Sequence, residues 1–299
     1  MPELPEVESV ARSLRGFLPG RRISRVLCHF PGSVSSGSGP FRKTLPGRTV
    51  VGIGRHGKYL FLGLSGGLYV GLHLRMTGQL LFLPRRRAPD SHSHVEIFLT
   101  ASESKLVFRD VRKFGRLELL PGSPEEFIRE RRLGPDALAI LPGELYQRLR
   151  QTRRCLKAAL LDQRVLAGLG NIYTDEVLFR ARLSPRRSAS SLSRRQVQAL
   201  LLTIREVLAS AIRRRGTSIS DYVDARGRRG GFQFALQVYG RQGAACPRCG
   251  TPIVRSVVAG RGTWSCPRCQ RNPDASRQAG VRPGGHWTGP GIGATLENG

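Results

Sequence analysis

The 299-residue chain predicts an α+β protein: an N-terminal helix and an antiparallel β-sandwich domain, then a helical domain that ends in a four-cysteine hairpin. Three observations predict it. Apolar residues stand at helical spacing near the start, short strand-like runs follow as far as Leu120, and the helical period returns beyond them. At this length, with 39% hydrophobic residues, the chain supports two packed domains rather than one.

The first helix is expected over 3–18, where Val7, Val10, Ala11, Leu14, Phe17 and Leu18 recur three and four residues apart. Between Ile23 and Leu120 the runs 49–53, 59–64, 68–74, 95–99 and 106–108 are rich in β-branched, aromatic and leucine residues, and Gly, Pro and Ser interrupt them. Many short strands at such spacing imply an antiparallel sandwich or barrel. Residues 1–122 are read as this domain and 123–143 as a linker. A helical domain is expected over 144–235, most plainly from Val197, Leu200, Leu201, Ile204, Val207, Leu208 and Ile212. Within it, 156–161 and 172–182 read as two helices joined by the turn Gly168-Leu169-Gly170-Asn171. Backbone N–H groups and the Asn171 amide at such a helix N-terminus can hold a phosphate, while Asn is equally an ordinary N-cap.

The last unit, 236–271, carries Cys246-Pro247-Arg248-Cys249 and Cys266-Pro267-Arg268-Cys269. Two C-x2-C pairs at this separation let four thiolates surround one Zn2+, and the closed ligand set makes its role structural. Cys28 and Cys155 stand alone, so a reducing compartment fits better than a disulfide framework. The unit also holds six arginines and no Asp or Glu, which suits a phosphate backbone better than a protein partner. Beyond it, the Gly- and Pro-rich residues 272–299 are expected to form a disordered tail.

Charge narrows the function. Lys and Arg total 49 against 21 Asp and Glu, a formal charge of +28, which is the footprint of a nucleic-acid binder. Membrane attachment would call for a basic amphipathic helix or a polybasic block beside an anchor, and the arginines are instead spread along the chain. There is no run of about 18 apolar residues and no basic-then-apolar start, so a soluble intracellular protein is expected.

The chemistry-bearing signal is the start, Met1-Pro2-Glu3-Leu4-Pro5-Glu6-Val7-Glu8. Once Met1 is removed, Pro2 is a secondary amine, and an α-amino group near pKa ~8 is partly unprotonated at neutral pH and attacks carbonyls to form Schiff bases. Glu3 can donate a proton if burial keeps part of it protonated. The plainer reading is that Pro2 and the carboxylates only start a helix.

That start is followed, in order, by Gly57-Lys58-Tyr59, His73-Leu74-Arg75-Met76-Thr77-Gly78, Arg112-Lys113-Phe114-Gly115, Gly168-Leu169-Gly170-Asn171-Ile172-Tyr173, Val238-Tyr239-Gly240-Arg241 and the closing Cys269-Gln270. With these blocks the chain, over residues 1 to 271, resembles the bacterial formamidopyrimidine-DNA glycosylases, which excise oxidised purines from DNA. The resemblance implies a helix-two-turn-helix and a zinc-ribbon hairpin behind the sandwich. It implies that Pro2 attacks C1′ of a flipped nucleotide, that Glu3 assists, and that β- and δ-elimination follow. Lys58 matches a lysine with a proposed proton-donor role. Asn171 and Arg261 match residues that grip the flanking phosphates. Arg261 is also given a proton-donor role in the family, but arginine stays protonated and phosphate binding suits it better.

Met76, Arg112 and Phe114 match the residues that fill the hole left by the flipped base. By composition alone, Met76 and Phe114 would be core residues. His92 and Lys157 match DNA-contacting positions. The chain departs from the pattern at Ser91 and Ser93, where Lys and Asp are frequent, at Val111, where proline is usual, and at Lys113, where a second arginine is usual. The implied partner is damaged double-stranded DNA, bound by a monomer in the bacterial cytoplasm at the nucleoid. Alternatives are an endonuclease VIII-like glycosylase for oxidised pyrimidines, a lesion-binding protein that keeps Met1, and a zinc-ribbon regulator.

Overall fold

The computed structural model describes residues 2–272. The tail expected over 272–299 lies, from 273 onward, outside the described residues. Helix α1 (Leu4–Arg15) opens the chain, and eight strands follow: β1 (Ile23–Cys28), β2 (Val50–His56), β3 (Tyr59–Leu64), β4 (Leu68–His73), β5 (Gly78–Pro84), β6 (Ser93–Leu99), β7 (Ser104–Asp110) and β8 (Arg116–Leu120), with helix α2 (Ser38–Thr44) between β1 and β2. They form two four-stranded antiparallel sheets, ordered β1-β6-β7-β5 and β2-β3-β4-β8. Alternation explains the sandwich. Leu60, Leu62 and Leu64 of β3 and Val95, Ile97 and Leu99 of β6 enter one shared core, with Phe61 on the opposite face of β3.

The helical domain comprises α4 (Pro142–Arg150), α5 (Leu156–Leu161), α6 (Asn171–Arg180) and α7 (Arg194–Arg213), and the hairpin β9 (Val254–Val258) and β10 (Arg261–Ser265) closes the described chain. Helix α7 starts where its sequence says it should, with Ser193 accepting from the Gln196 N–H and Gln196 returning the bond. The expected linker is itself folded. Helix α3 (Pro124–Glu130) occupies it, Phe127 covers the outer face of the β2-β3-β4-β8 sheet beside Phe61 and Leu120, and Ala137 and Ile140 enter the helical core. Two apolar anchors in so short a stretch leave it nowhere to swing. Helix α1 joins the two cores: Leu4 packs in the helical one, Val7, Val10, Ala11 and Leu14 in the sandwich.

Candidate active site and nucleic-acid interface

Pro2 precedes α1 rather than starting it. Glu3 is the extended N-cap, and Pro5 is the proline within the first turn. The Glu3 carboxylate is sequestered, 2% exposed, and receives the N–H groups of Gly170 at 2.6 Å, Ile172 at 2.9 Å and Tyr173 at 3.4 Å. It therefore sits on the N-terminus of α6, where backbone donors converge on an anion. Only glycine leaves room for it, because a Cβ on Gly170 would come within 2.4 Å of the Glu3 side chain. Gly168, at φ +122°, meets Leu4 in the same way and accepts the Leu4 N–H at 3.1 Å. The two motifs at 2–8 and 168–171 are thus one site. Burial raises the Glu3 pKa, opposed by the Lys58 charge and by the three N–H groups.

Behind Glu3 lies Glu6, which the residue reading left unassigned although it stands in the opening motif. Its carboxylate receives the Glu3 N–H at 2.8 Å, the Tyr173 hydroxyl at 2.5 Å and the Thr217 N–H at 2.7 Å. Burial and the neighbouring Glu3 charge push its pKa up to about 7. Lys58 is 7% exposed, and burial lowers its pKa against the pull of Glu3 and Glu6, while Arg261 adds to the lowering. A buried amine and two buried carboxyls thus lie within electrostatic reach of one another.

This cluster makes a testable pH dependence. Because folding raises the Glu6 pKa from 4.5 to about 7, its contribution to stability is fully present below 4.5 and is lost as pH rises through 7. Glu6→Gln does not titrate, so its stability should gain on the wild type across that window by about 3 kcal/mol and level off above it. Urea denaturation at stepped pH measures this. A constant offset from mismatched hydrogen bonds would leave the slope intact, whereas a difference flat through the window would show that Glu6 titrates as in the unfolded chain.

Pro2 opens onto a cleft lined by Met76, Thr77, Gly78, Ile172, Thr217, Ile219 and Tyr222. The free space is about 20 Å3, room for about one water molecule. That space is too small for a nucleobase. A larger cavity of about 310 Å3 lies over the outer face of the β1-β6-β7-β5 sheet beside Glu96 and Lys105, and none of the sequence-predicted site residues lines it.

Beside the cleft, Met76 is 38% and Phe114 48% exposed, and the Arg112 guanidinium lies 4.8 Å from the Phe114 ring centre. Neither apolar side chain is in the core. An exposed Met, Phe and Arg thus lie together on adjacent turns. His92 is half-buried on the neighbouring loop, and its carbonyl accepts the Asp110 N–H.

Asn171, Arg261 and Lys157 differ in exposure. Asn171 donates through Nδ2 to the Gly262 carbonyl at 2.9 Å, and its Oδ1 accepts no hydrogen bond among the described residues. Asn171 is the first residue of α6, with Gly170 as the N-cap. Arg261 is exposed at the hairpin turn, where Ala259 and Gly260 both have positive φ. Lys157 is 0% exposed, ion-paired with Asp175 at 2.7 Å and donating to the Gly262 carbonyl and the Thr263 hydroxyl. So placed, it ties α5 to α6 and to the hairpin. Asp175 also accepts the Trp264 N–H, and Glu176 accepts those of Gln237, Val238 and Tyr239. A buried lysine whose ammonium is engaged by acceptors from two other elements is a strut.

The sulfur atoms of Cys246, Cys249, Cys266 and Cys269 lie within 4.8 Å of one another, with separations of 3.4, 3.5 and 4.0 Å among them. A tetrahedron of Zn–S bonds of about 2.3 Å needs sulfurs about 3.8 Å apart, so the set fits one structural Zn2+. Cys28 and Cys155 are free and outside it. Among the described residues no helix is long and apolar enough to cross a membrane.

Family models match along the chain: the formamidopyrimidine-DNA glycosylase N-terminal domain over residues 1–117, the formamidopyrimidine-DNA glycosylase H2TH domain over 133–223, and the zinc finger found in FPG and IleRS over 243–272. The formamidopyrimidine-DNA glycosylase of Carboxydothermus hydrogenoformans is 43% identical over 274 residues, 91% of this chain and 100% of that protein. That of Desulfitobacterium hafniense is 43% identical over 90% of this chain and 100% of its own. Among solved structures, Lactococcus lactis Fpg in complex with an abasic-site DNA superposes with a TM-score of 0.84 at 36% identity, covering 91% of this chain and 100% of the other. A mutant of the same protein bound to Fapy-dG DNA reaches 0.85 at the same identity and coverage.

Proposed function

From its membership of the formamidopyrimidine-DNA glycosylase family, where the chain plainly belongs, we propose how this site performs the family's reaction. The protein is a DNA-repair glycosylase of that kind, and AP lyase activity is typical of the family. The observation that carries the residue-level reading is the seat of Pro2 and Glu3 against the N-terminus of α6. The Pro2 nitrogen bonds to C1′ of the everted nucleotide as the glycosidic bond breaks and the base leaves with its electron pair. Glu3, its pKa raised by burial, supplies a proton to the ring oxygen O4′ as the C1′–O4′ bond breaks, which leaves the Pro2 nitrogen as an iminium. The iminium acidifies C2′; loss of that proton expels the 3′ phosphate, and a second elimination expels the 5′ phosphate. Lys58 has its pKa lowered by burial and stands within electrostatic reach of Glu3, which fits a group that takes up and returns protons.

Met76, Arg112 and Phe114 fill the gap in the stack, and Asn171 with Arg261 holds the adjoining phosphates. His92 lies beside the wedge as a further contact. The zinc ion held by the four cysteines fixes the hairpin and takes no part in bond making. We propose action as a monomer, in the bacterial cytoplasm at the nucleoid, on damaged duplex DNA. Excision from duplexes bearing 8-oxoguanine, a formamidopyrimidine or thymine glycol tests the substrate class: the purine lesions should be removed fastest, and a preference for thymine glycol would assign the endonuclease VIII-like activity instead.

Phosphate gripping has its own signature. Log affinity for duplex DNA should fall linearly with log salt, and Arg261→Ala should make the slope shallower by about 0.9, the value of one released counterion. Arg277→Ala, beyond the hairpin, should leave it unchanged. Equal slopes for the two variants would remove Arg261 from the interface.

A further inference from the structure

We infer that Asp110 is the positioning residue that sets Met76, Arg112 and Phe114 as one wedge. The inference rests on the reading of those three as the group that fills the stack. Asp110 ends β7 and is 0% exposed. One carboxylate oxygen receives the Thr77 hydroxyl at 2.5 Å and the Arg112 N–H at 3.2 Å; the other receives the Gly115 N–H at 2.6 Å. Thr77 directly follows Met76, and Arg112 and Gly115 bracket Phe114. The Arg112 N–H is shared with the Thr77 hydroxyl at 3.2 Å, so the two turns are also joined to each other. The Asp110 main chain extends the hub, its N–H donating to the His92 carbonyl and its carbonyl accepting from His94 Nε2 at 2.7 Å. Three separate turns that present the DNA-side residues therefore converge on one buried residue. Gly78 pairs with Asp110 across β5 and β7, which brings the turns together. Lys113, between them, has a φ of 59°, so the turn is not held by backbone preference alone.

Both oxygens are used, so an amide cannot substitute. In either orientation, the side chain introduced by Asp110→Asn would set its NH2 against an N–H, of Gly115 or of Arg112. As part of that wedge the Arg112 guanidinium can hydrogen-bond the base left unpaired, so the readout is the ratio of single-turnover excision rates for 8-oxoguanine opposite C and opposite A. A variant that merely loses folded protein scales both rates equally and leaves the ratio unchanged. Asp110→Asn and Thr77→Val should shift the ratio toward that of Arg112→Ala, by about tenfold, the discrimination of one well-placed base contact. Thr77→Ser keeps the hydroxyl and should restore the wild-type ratio. Should Asp110→Asn fail to fold, the Thr77→Val and Thr77→Ser pair decides alone. A wild-type ratio in Thr77→Val, with Arg112→Ala shifted, would reduce Asp110 to a fold-stabilising residue and leave the wedge reading standing. An unshifted ratio in Arg112→Ala would sink the wedge reading and the inference with it.

Discussion

Borohydride added during reaction with a lesion-bearing duplex should trap this protein on DNA through Pro2, and retention of Met1 should reduce trapping to background. The effect is all-or-none because the substitution is chemical rather than geometric. A secondary amine has a lone pair to give; the same nitrogen in a Met1–Pro2 peptide bond shares it with the carbonyl. Pro2 stands ahead of the helix and lines the cleft, with Glu3 held by three backbone N–H groups directly behind it. Lys58, the competing amine, faces the same cluster. Lys58→Ala should therefore slow turnover yet leave the adduct on Pro2. Peptide mapping that placed the crosslink on Lys58, with Pro2 unmodified, would refute the nucleophile assigned here.

Cys249→Ser should abolish stoichiometric zinc and cost most of the affinity for duplex DNA while the sandwich stays folded. Polar ties dock the hairpin on α5 and α6, but its own interior has little besides the metal to hold it. Its own apolar cluster is small, with Val238, Cys246, Ile253 and Cys266 buried around Phe179 of α6, and two of those are metal ligands. Below about 40 residues a unit usually needs a metal or disulfides to fold. Arg261 and the Gly262 carbonyl that receives Asn171 both sit on β10, so loss of the metal releases the phosphate grip as a whole. Elemental analysis and a titration with lesion duplex read the two effects, and unchanged zinc content in the variant would overturn the ligand assignment.

The opening Pro2-Glu3 and the paired C-x2-C motifs were legible because their chemistry depends on neighbours a few residues away. The strands of the sandwich were legible through alternation, and β3 and β6 follow it. What was not legible depends on packing between distant segments. The seat of Glu3 lies 167 residues along the chain at Gly170, and nothing local to either motif points to the other. Lys157 is singled out in the sequence only by resemblance to a DNA-contacting position, and its burial against Asp175, Gly262 and Thr263 depends on α6 and the hairpin. The stretch 123–143 reads as a linker because its polar residues outnumber its anchors, yet Phe127, Ala137 and Ile140 suffice to pin it. Asp110 has no signature of its own, since the donors its carboxylate accepts, Thr77, Arg112 and Gly115, arrive from two turns.

Helix α1, shared between the two cores, also orders events in time. Gly168 and Gly170, which cradle Leu4 and Glu3, are made more than half a chain after them. At about 5–20 residues per second, that interval is on the order of ten seconds or longer. Throughout it the Glu3 carboxylate lacks the three backbone N–H groups that hold it, although α1 can already pack against the sandwich. On the reading proposed for Pro2, a truncated chain that stops short of α6 would carry the amine without its proton donor in place.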